Sequence, residues 1–213
     1  MSNVRRQIHV ANYASYRFPV PEAKLLASLE SVRHDVEAVI EYCDRMHTLE
    51  DEPIDYVLWE AISAAAVVRY ARCFMSGART ALKHKLLDEA PTAIRESHHY
   101  FIAVRSKHVA HSANEFEEND VTVTLREDQT SIEITGIGAH QGRVLGLLFN
   151  GPARLRELAT WLLGRVHTDI LAERAKLLTT AHEYGPQKIK DFGSPSAGTG
   201  ASDRAATSTR SRP

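Results

Sequence analysis

The amino-acid sequence predicts a mainly α-helical protein: a bundle of about four long helices with one inserted β-hairpin. Apolar residues recur every three or four positions over four long stretches, which is the period of helices that bury one face. A shorter region at about residues 120–136 instead alternates apolar and polar residues around a polar turn. That alternation is typical of two antiparallel strands. The predicted folded domain covers residues 21–185.

The first two helices are predicted over residues 21–46 and 53–87. Pro21 suits the first turn of a helix, and the apolar residues that follow it keep the helical spacing. The middle of the second helix, residues 61–73, is rich in alanine and other small or apolar residues. Small side chains permit close approach between helices, so we expect this helix to be the most buried one.

The third and fourth helices are predicted over residues 92–112 and 152–184. Thr92 can cap the first of these through its hydroxyl group. Residues 1–20 show no helical period and are expected to form an extended arm that places aromatic rings on the domain. Residues 186–213 are dominated by Gly, Ser, Thr, Ala and Arg, and we expect a disordered tail because they offer little to bury.

Composition and charge narrow the class of protein. The chain has 213 residues, of which 43% are hydrophobic and 25% charged, and this suits one globular domain. A net charge of -1 excludes a global basic field, so a polyanion would have to bind a local patch. Cys43 and Cys73 form no CxxC pair and are expected to be reduced, buried thiols. No stretch approaches the ~18 apolar residues of a membrane span, and no signal peptide is evident, so a cytoplasmic location is expected.

The third predicted helix, residues 92–112, has the highest density of reactive side chains. Four of the 11 histidines of the chain fall within it. Positions three, four and seven apart share a helix face, and here they mix apolar and cationic residues. We therefore expect the polar members to face a crevice between helices, where each needs a partner. The stripe consists of Ile94, His98, Phe101, Arg105 and His108.

Two arginines, Arg69 and Arg72, interrupt the alanine-rich helix on one side. An arginine on a buried helix requires an anion. The sequence allows two kinds of anion: a carboxylate of the protein, or the phosphate of a ligand. In the second case both arginines would be substrate-binding residues. The basic run at residues 79–85 is expected to face solvent or a partner at the end of this helix, where the helix dipole favours cations.

The third helix ends in the string RSKHVAHS, in which five residues separate Arg105 from His111. A histidine can move a proton near neutral pH, and an arginine can stabilise charge on a phosphoryl group. Such a pair suits cleavage of RNA by its own 2′-hydroxyl group. The string resembles the R-x4-6-H motif of the HEPN superfamily of helical-bundle proteins, in the form found among bacterial toxin and phage-defence proteins. Arg79 and His84 also match the bare pattern, but we set them aside because a solvent-facing helix end explains them.

The resemblance implies a HEPN-like fold and a metal-independent endoribonuclease with no cofactor. It implies a homodimer in which two motifs face a shared cleft, with RNA or a nucleotide as ligand. An antitoxin protein is a further partner that the resemblance allows. Arg105 and His111 would be the catalytic pair: His111 as general acid or base, Arg105 as the group that neutralises the scissile phosphate. Lys107 and His108 would bind substrate beside them. Ser106 departs from the commonest form of the motif, which has Asn, Asp or His after the arginine.

Two other interpretations stay open. One is a non-catalytic HEPN-like bundle that binds a nucleotide or a protein, with the His/Arg stripe holding the dimer or the hairpin together. The other is a metal site. His108 and His111 lie three residues apart, but helical metal sites usually add carboxylates, and no Glu-x-x-His companion is evident. Further ligands of such a site would come from His84, His98 or His99.

Overall fold

The computed structural model describes residues 14–49, 55–75, 79–106, 117–127, 131–143, 146–147 and 149–194. The fold is mainly helical, with one small antiparallel hairpin, as the sequence predicts. A short 3₁₀ helix covers His84–Leu87. In chain order the other elements are α1 (Ala23–Leu49), α2 (Tyr56–Arg72), α3 (Thr92–Val104), β1 (Glu117–Glu127), β2 (Ile132–Arg143), α4 (Gly151–Tyr184) and α5 (Pro186–Asp191).

The chain divides into two compact units. The larger one, residues 25–173, contains the hydrophobic core, and the smaller one joins residues 1–24 to residues 174–213. In the core, α1, α2, α3 and α4 each contribute apolar residues at helical spacing, and burial of each large aliphatic side chain contributes about 1.5–3 kcal/mol. Among the side chains with no exposed surface are Val32, Val36, Val39, Tyr70, Phe101, Leu155, Leu158 and Leu162.

The second helix is shorter than the sequence predicts. It ends at Arg72 and does not continue to residue 87. The chain turns at Cys73 and Phe74, whose backbone N–H groups donate to carbonyl groups three residues earlier. It then runs back beside the turn, since the N–H group of Leu82 donates to the Cys73 carbonyl at 2.9 Å. The basic run at residues 79–85 therefore follows a reversal of the chain and does not form a helix end.

The hairpin spans residues 117–143, further than the predicted 120–136. Directly opposed residues of an antiparallel pair lie on the same face. Val123 of β1 lies opposite Ile137 of β2. A register shift after Thr124 then brings Leu125 opposite Ile134. One face is thus apolar, yet its side chains are exposed, with Ile137 at 75% and Val121 at 76%.

The last long helix, α4, begins one residue before the predicted start and ends at the predicted Tyr184. Gly185 stops it with a left-handed backbone, φ 77°. The sequence predicts a disordered tail from residue 186, but α5 begins there, because a proline fits the first turn of a new helix. Residues 195–213 of the predicted tail lie outside the described residues.

In the smaller unit, the described end of the N-terminal segment makes aromatic contacts. The ring of Phe18 meets Tyr184 edge-on at 5.5 Å between centroids, and Phe192 at 6.2 Å. The backbone N–H group of Arg17 donates to the Gly193 carbonyl at 2.8 Å. Across the described parts of the chain, no helix has the length and apolarity needed to cross a membrane.

Candidate functional site

The helix that carries the motif is described as far as Ser106. It is α-helical over α3 and widens into a π-turn at Arg105 and Ser106. π-turns are rare and frequently found at functional sites. Arg105 is half-buried at this point. The predicted residues Lys107, His108 and His111 lie outside the described residues, and so does the geometry of the Arg105–His111 pair.

The buried face of α3 contains a histidine with two polar partners. His98 is 2% exposed. Its Nδ1 atom lies 2.6 Å from the hydroxyl oxygen of Tyr70 on α2, and its Nε2 atom lies 2.8 Å from Nδ1 of His84 in the 3₁₀ helix. A neutral imidazole has one donor and one acceptor nitrogen, so both contacts can be hydrogen bonds. The expectation that His98 needs a partner is therefore confirmed, and the chain Tyr70–His98–His84 ties three elements together.

The environment of His98 keeps it neutral. Burial, and secondarily the neighbouring His84 and His99, lower the pKa of His98 from 6.5 to about 4. Burial also raises the pKa of Tyr70, so the phenol stays protonated. The ring of Phe74 stacks on His84 at 5.2 Å and meets His98 at 4.7 Å. Sequence reasoning missed these partners, although Tyr70 and Phe74 are four residues apart, a spacing that places side chains on one side of a helical turn.

Three of the histidines named as possible metal ligands, His84, His98 and His99, lie in the described part of the chain. His84 and His98 direct ring nitrogens at each other at 2.8 Å. Within the described ranges, no group of three or more His, Cys, Asp or Glu side chains is arranged to hold a metal ion. His108 and His111, on which the hypothesis depends, are outside those ranges.

A second polar cluster joins α1, α2 and the segment that follows α2. Asp35 of α1 is buried and accepts hydrogen bonds from Arg69 and Arg72, each at 3.2 Å. Arg79 approaches the same carboxylate at 2.6 Å and donates to the hydroxyl oxygen of Ser31 at 2.8 Å. Asp35 thus supplies a protein carboxylate as a partner for both helical arginines. Whether they also bind the phosphate of a ligand stays a prediction.

This cluster corrects the interpretation of Arg79. Its side chain is only 15% exposed, so a solvent-facing helix end does not explain it. His84, by contrast, is exposed, but its ring nitrogen is engaged by His98. Sequence reasoning overlooked Asp35, which was detectable because it stands between Val32 and Val39 on the apolar stripe of the first helix.

The two cysteines are buried, as expected. Burial, reinforced by nearby carboxylates, raises the pKa of Cys43 and of Cys73 to about 12. The thiolate is the reactive form of cysteine, so neither residue is suited to act as a nucleophile.

No family model, no curated protein and no solved structure matches this chain.

Proposed function

We propose that the protein is a cytoplasmic, homodimeric, metal-independent endoribonuclease of the HEPN type, with Arg105 and His111 as its catalytic pair. The observation that carries the proposal is the position of Arg105. The buried face of α3 ends just before this residue, where the helix widens into a π-turn and Arg105 is half-buried. A half-buried arginine at the end of a helix can reach a ligand while its helix remains anchored.

The proposed reaction needs two proton transfers and one site of charge stabilisation. A base removes the proton of the RNA 2′-hydroxyl group, whose oxygen attacks the adjacent phosphorus. The bond to the 5′-oxygen breaks, an acid protonates that oxygen, and a 2′,3′-cyclic phosphate remains. His111 would move a proton, and Arg105 would stabilise the charge on the phosphoryl oxygens. Lys107 and His108 would hold the phosphate beside them, and the second motif of the homodimer would face the same cleft.

The contacts of α3 hold the helix that precedes Arg105 in a fixed position. Phe101 is fully buried, and His98 is held by Tyr70 on one side and by His84 on the other. A catalytic group works best when locked supporting residues fix its element. The middle and the last turn of α3 are fixed in this way, and Arg105 follows directly after them.

A second candidate is a non-catalytic HEPN-like bundle that binds a nucleotide or a protein partner such as an antitoxin. The specific observation in its favour is the apolar face of the hairpin, which exposes large side chains without a covering element among the described residues. Exposed apolar faces of this kind mark interaction surfaces. The two candidates differ in whether the protein cleaves RNA, which can be measured.

The test is RNA cleavage in excess chelator by the wild-type protein and by the variants Arg105→Ala and His111→Ala. Arg45→Ala and His167→Ala are matched controls, because they remove an exposed arginine and an exposed histidine from other helices. We expect cleavage by the wild type and both controls, and a loss of about 100-fold or more in each motif variant. Absence of cleavage by a well-folded wild-type dimer would favour the binding module, and a strictly monomeric protein would also count against the proposal.

A further inference from the structure

The polar cluster around Asp35 contains more positive than negative side chains. We define the Asp35 cluster as Asp35, Arg69, Arg72 and Arg79. One carboxylate faces three guanidinium groups, at 3.2, 3.2 and 2.6 Å. Two positive charges are therefore in excess within one cluster. Close like charges repel each other, and each further arginine adds such repulsion. A single arginine would be enough to pair with Asp35 and join α1 to α2.

The excess charge is directed outward. The Asp35 side chain is 3% exposed, whereas those of Arg69 and Arg72 are 40% and 59% exposed. In the described contacts with Asp35, Arg72 uses only its Nε atom and Arg69 only one terminal nitrogen. Each guanidinium group has five N–H donors, so these contacts with Asp35 use one donor group of each partly exposed side chain.

The third arginine acts as an internal support. Arg79 is 15% exposed, and it binds Asp35, the Ser31 hydroxyl group and the backbone carbonyl of Arg72. It therefore fixes the segment after α2 against α1. The buried Asp35–Arg79 pair orients the two outer guanidinium groups before any ligand arrives, which lowers the entropic cost of binding.

The ligand that fits this arrangement is a phosphate group. A phosphate oxyanion accepts several N–H groups at once and matches the planar fork of arginine. The guanidinium group of Arg69 also lies over the ring of Tyr42, 5.8 Å from its centre. Tyr42 follows Asp35 by two helical turns on α1, so an aromatic ring accompanies the cationic groups. Cationic groups beside an aromatic ring are the combination that binds single-stranded nucleic acid.

We propose that the Asp35 cluster is a phosphate-binding site for an RNA strand or a nucleotide, built separately from the Arg105–His111 motif. Arg69 and Arg72 contact the phosphate, and Arg79 with Asp35 positions them. The choice of RNA as the source of the phosphate rests on the proposed function, but the binding of a phosphate does not. The site would hold a substrate strand at a second point along its backbone.

Binding is measured on the full chain carrying His111→Ala, so that RNA is not consumed. The probes are a labelled single-stranded RNA, uridine monophosphate and inorganic phosphate. Arg72→Gln removes the most exposed guanidinium group of the Asp35 cluster, and Arg126→Gln is the control because it removes an exposed arginine from the hairpin. We expect Arg72→Gln to weaken RNA binding about tenfold to 100-fold and to reduce the dependence of log K on log salt by about one.

The probes separate the two sources of phosphate. Competition by uridine monophosphate or inorganic phosphate indicates a site for a single phosphate group, and binding of the strand alone indicates a site for the RNA backbone. Either result supports the inference. Equal RNA affinity for Arg72→Gln and Arg126→Gln would overturn it. Binding that depends on Arg72 in a protein that never cleaves RNA would reject the proposed nuclease and leave this site in place.

A second measurement does not depend on substitution. Nuclear magnetic resonance can follow the Nε–H signals of individual arginines during addition of inorganic phosphate to the wild-type protein. We expect the signals of Arg69 and Arg72 to move with a common affinity. The signal of Arg33, which is paired with Glu30 and Glu37, should remain in place. Unchanged signals for Arg69 and Arg72 would contradict a phosphate site here.

Discussion

The Nε2 atom of His98 lies 2.8 Å from the Nδ1 atom of His84. This contact joins the buried face of α3 to the first residue of the 3₁₀ helix that precedes it. Because the other ring nitrogen of His98 contacts Tyr70, His98 has a polar partner on each side within an apolar setting. Its neutral state is thus a condition for the stable packing of the helix that carries the proposed site.

The pH dependence of stability follows from His98. Its pKa is about 4 in the folded protein and 6.5 without burial, so between these values the unfolded chain binds more protons. Stability from this group is fully present above about pH 6.5 and is lost as the pH falls towards about 4, by about 2–3 kcal/mol. Urea unfolding of the wild type across this range should show the loss, and His98→Gln should remove that component. An identical pH dependence in His98→Gln and wild type would contradict the assignment.

The hydroxyl group of Tyr70 should matter for stability as well. Tyr70→Phe leaves a ring nitrogen of His98 without its partner in the core, which costs about 1–3 kcal/mol. Tyr100→Phe on α3 is the control, because Tyr100 is 41% exposed. The free energy of unfolding from denaturant titration measures both. Similar values for the two variants would show that the Tyr70–His98 contact contributes little.

Removal of the buried carboxylate should have the largest electrostatic effect. Asp35→Asn leaves three arginines without their anion, and breaking a buried ion pair costs about 3–5 kcal/mol. We expect a value at the lower end, since two of the guanidinium groups reach solvent. Asp44→Asn removes a partner from the exposed pair Asp44–Arg156 and should cost under about 1 kcal/mol. Comparable losses in Asp35→Asn and Asp44→Asn would refute the central role of Asp35.

The hairpin and the bundle core should respond differently to loss of apolar surface. Leu158 has no exposed surface, and Leu158→Ala should cost about 2–5 kcal/mol. Ile137 is 75% exposed, and Ile137→Thr should change the free energy of unfolding by about 0.5 kcal/mol or less. Thermal unfolding at low protein concentration compares them. A large cost for Ile137→Thr would mean that another surface covers the hairpin face in solution.

Helix boundaries were predictable where the apolar period is uninterrupted. The extent of α4 follows from its leucine stripe, and Gly185 marks its end. The end of α2 was not predictable in the same way, because residues 73–87 have a composition that also suits a helix. Tertiary contacts decide the matter, among them the Arg79–Asp35 pair and the hydrogen bond from Leu82 to Cys73.

The polar contacts were predictable in kind but not in identity. The position of His98 on an apolar face predicts a buried polar partner, and that expectation is confirmed. The partner, Tyr70, stands 28 residues earlier in the chain, and only the packing of α2 on α3 brings the two together. The same holds for Arg69 and Arg72, whose need for an anion follows from the sequence while the choice of Asp35 depends on the fold.

The measurement that tests the central claim most directly is the chemistry of RNA ends produced in excess chelator by the wild type and by His111→Ala. The account predicts fragments with 2′,3′-cyclic phosphate ends from the wild type and none above background from His111→Ala, while the two proteins unfold with the same free energy. Equal production of such ends by both proteins, or none by the wild-type dimer, would contradict the assignment of Arg105 and His111 as a nuclease pair.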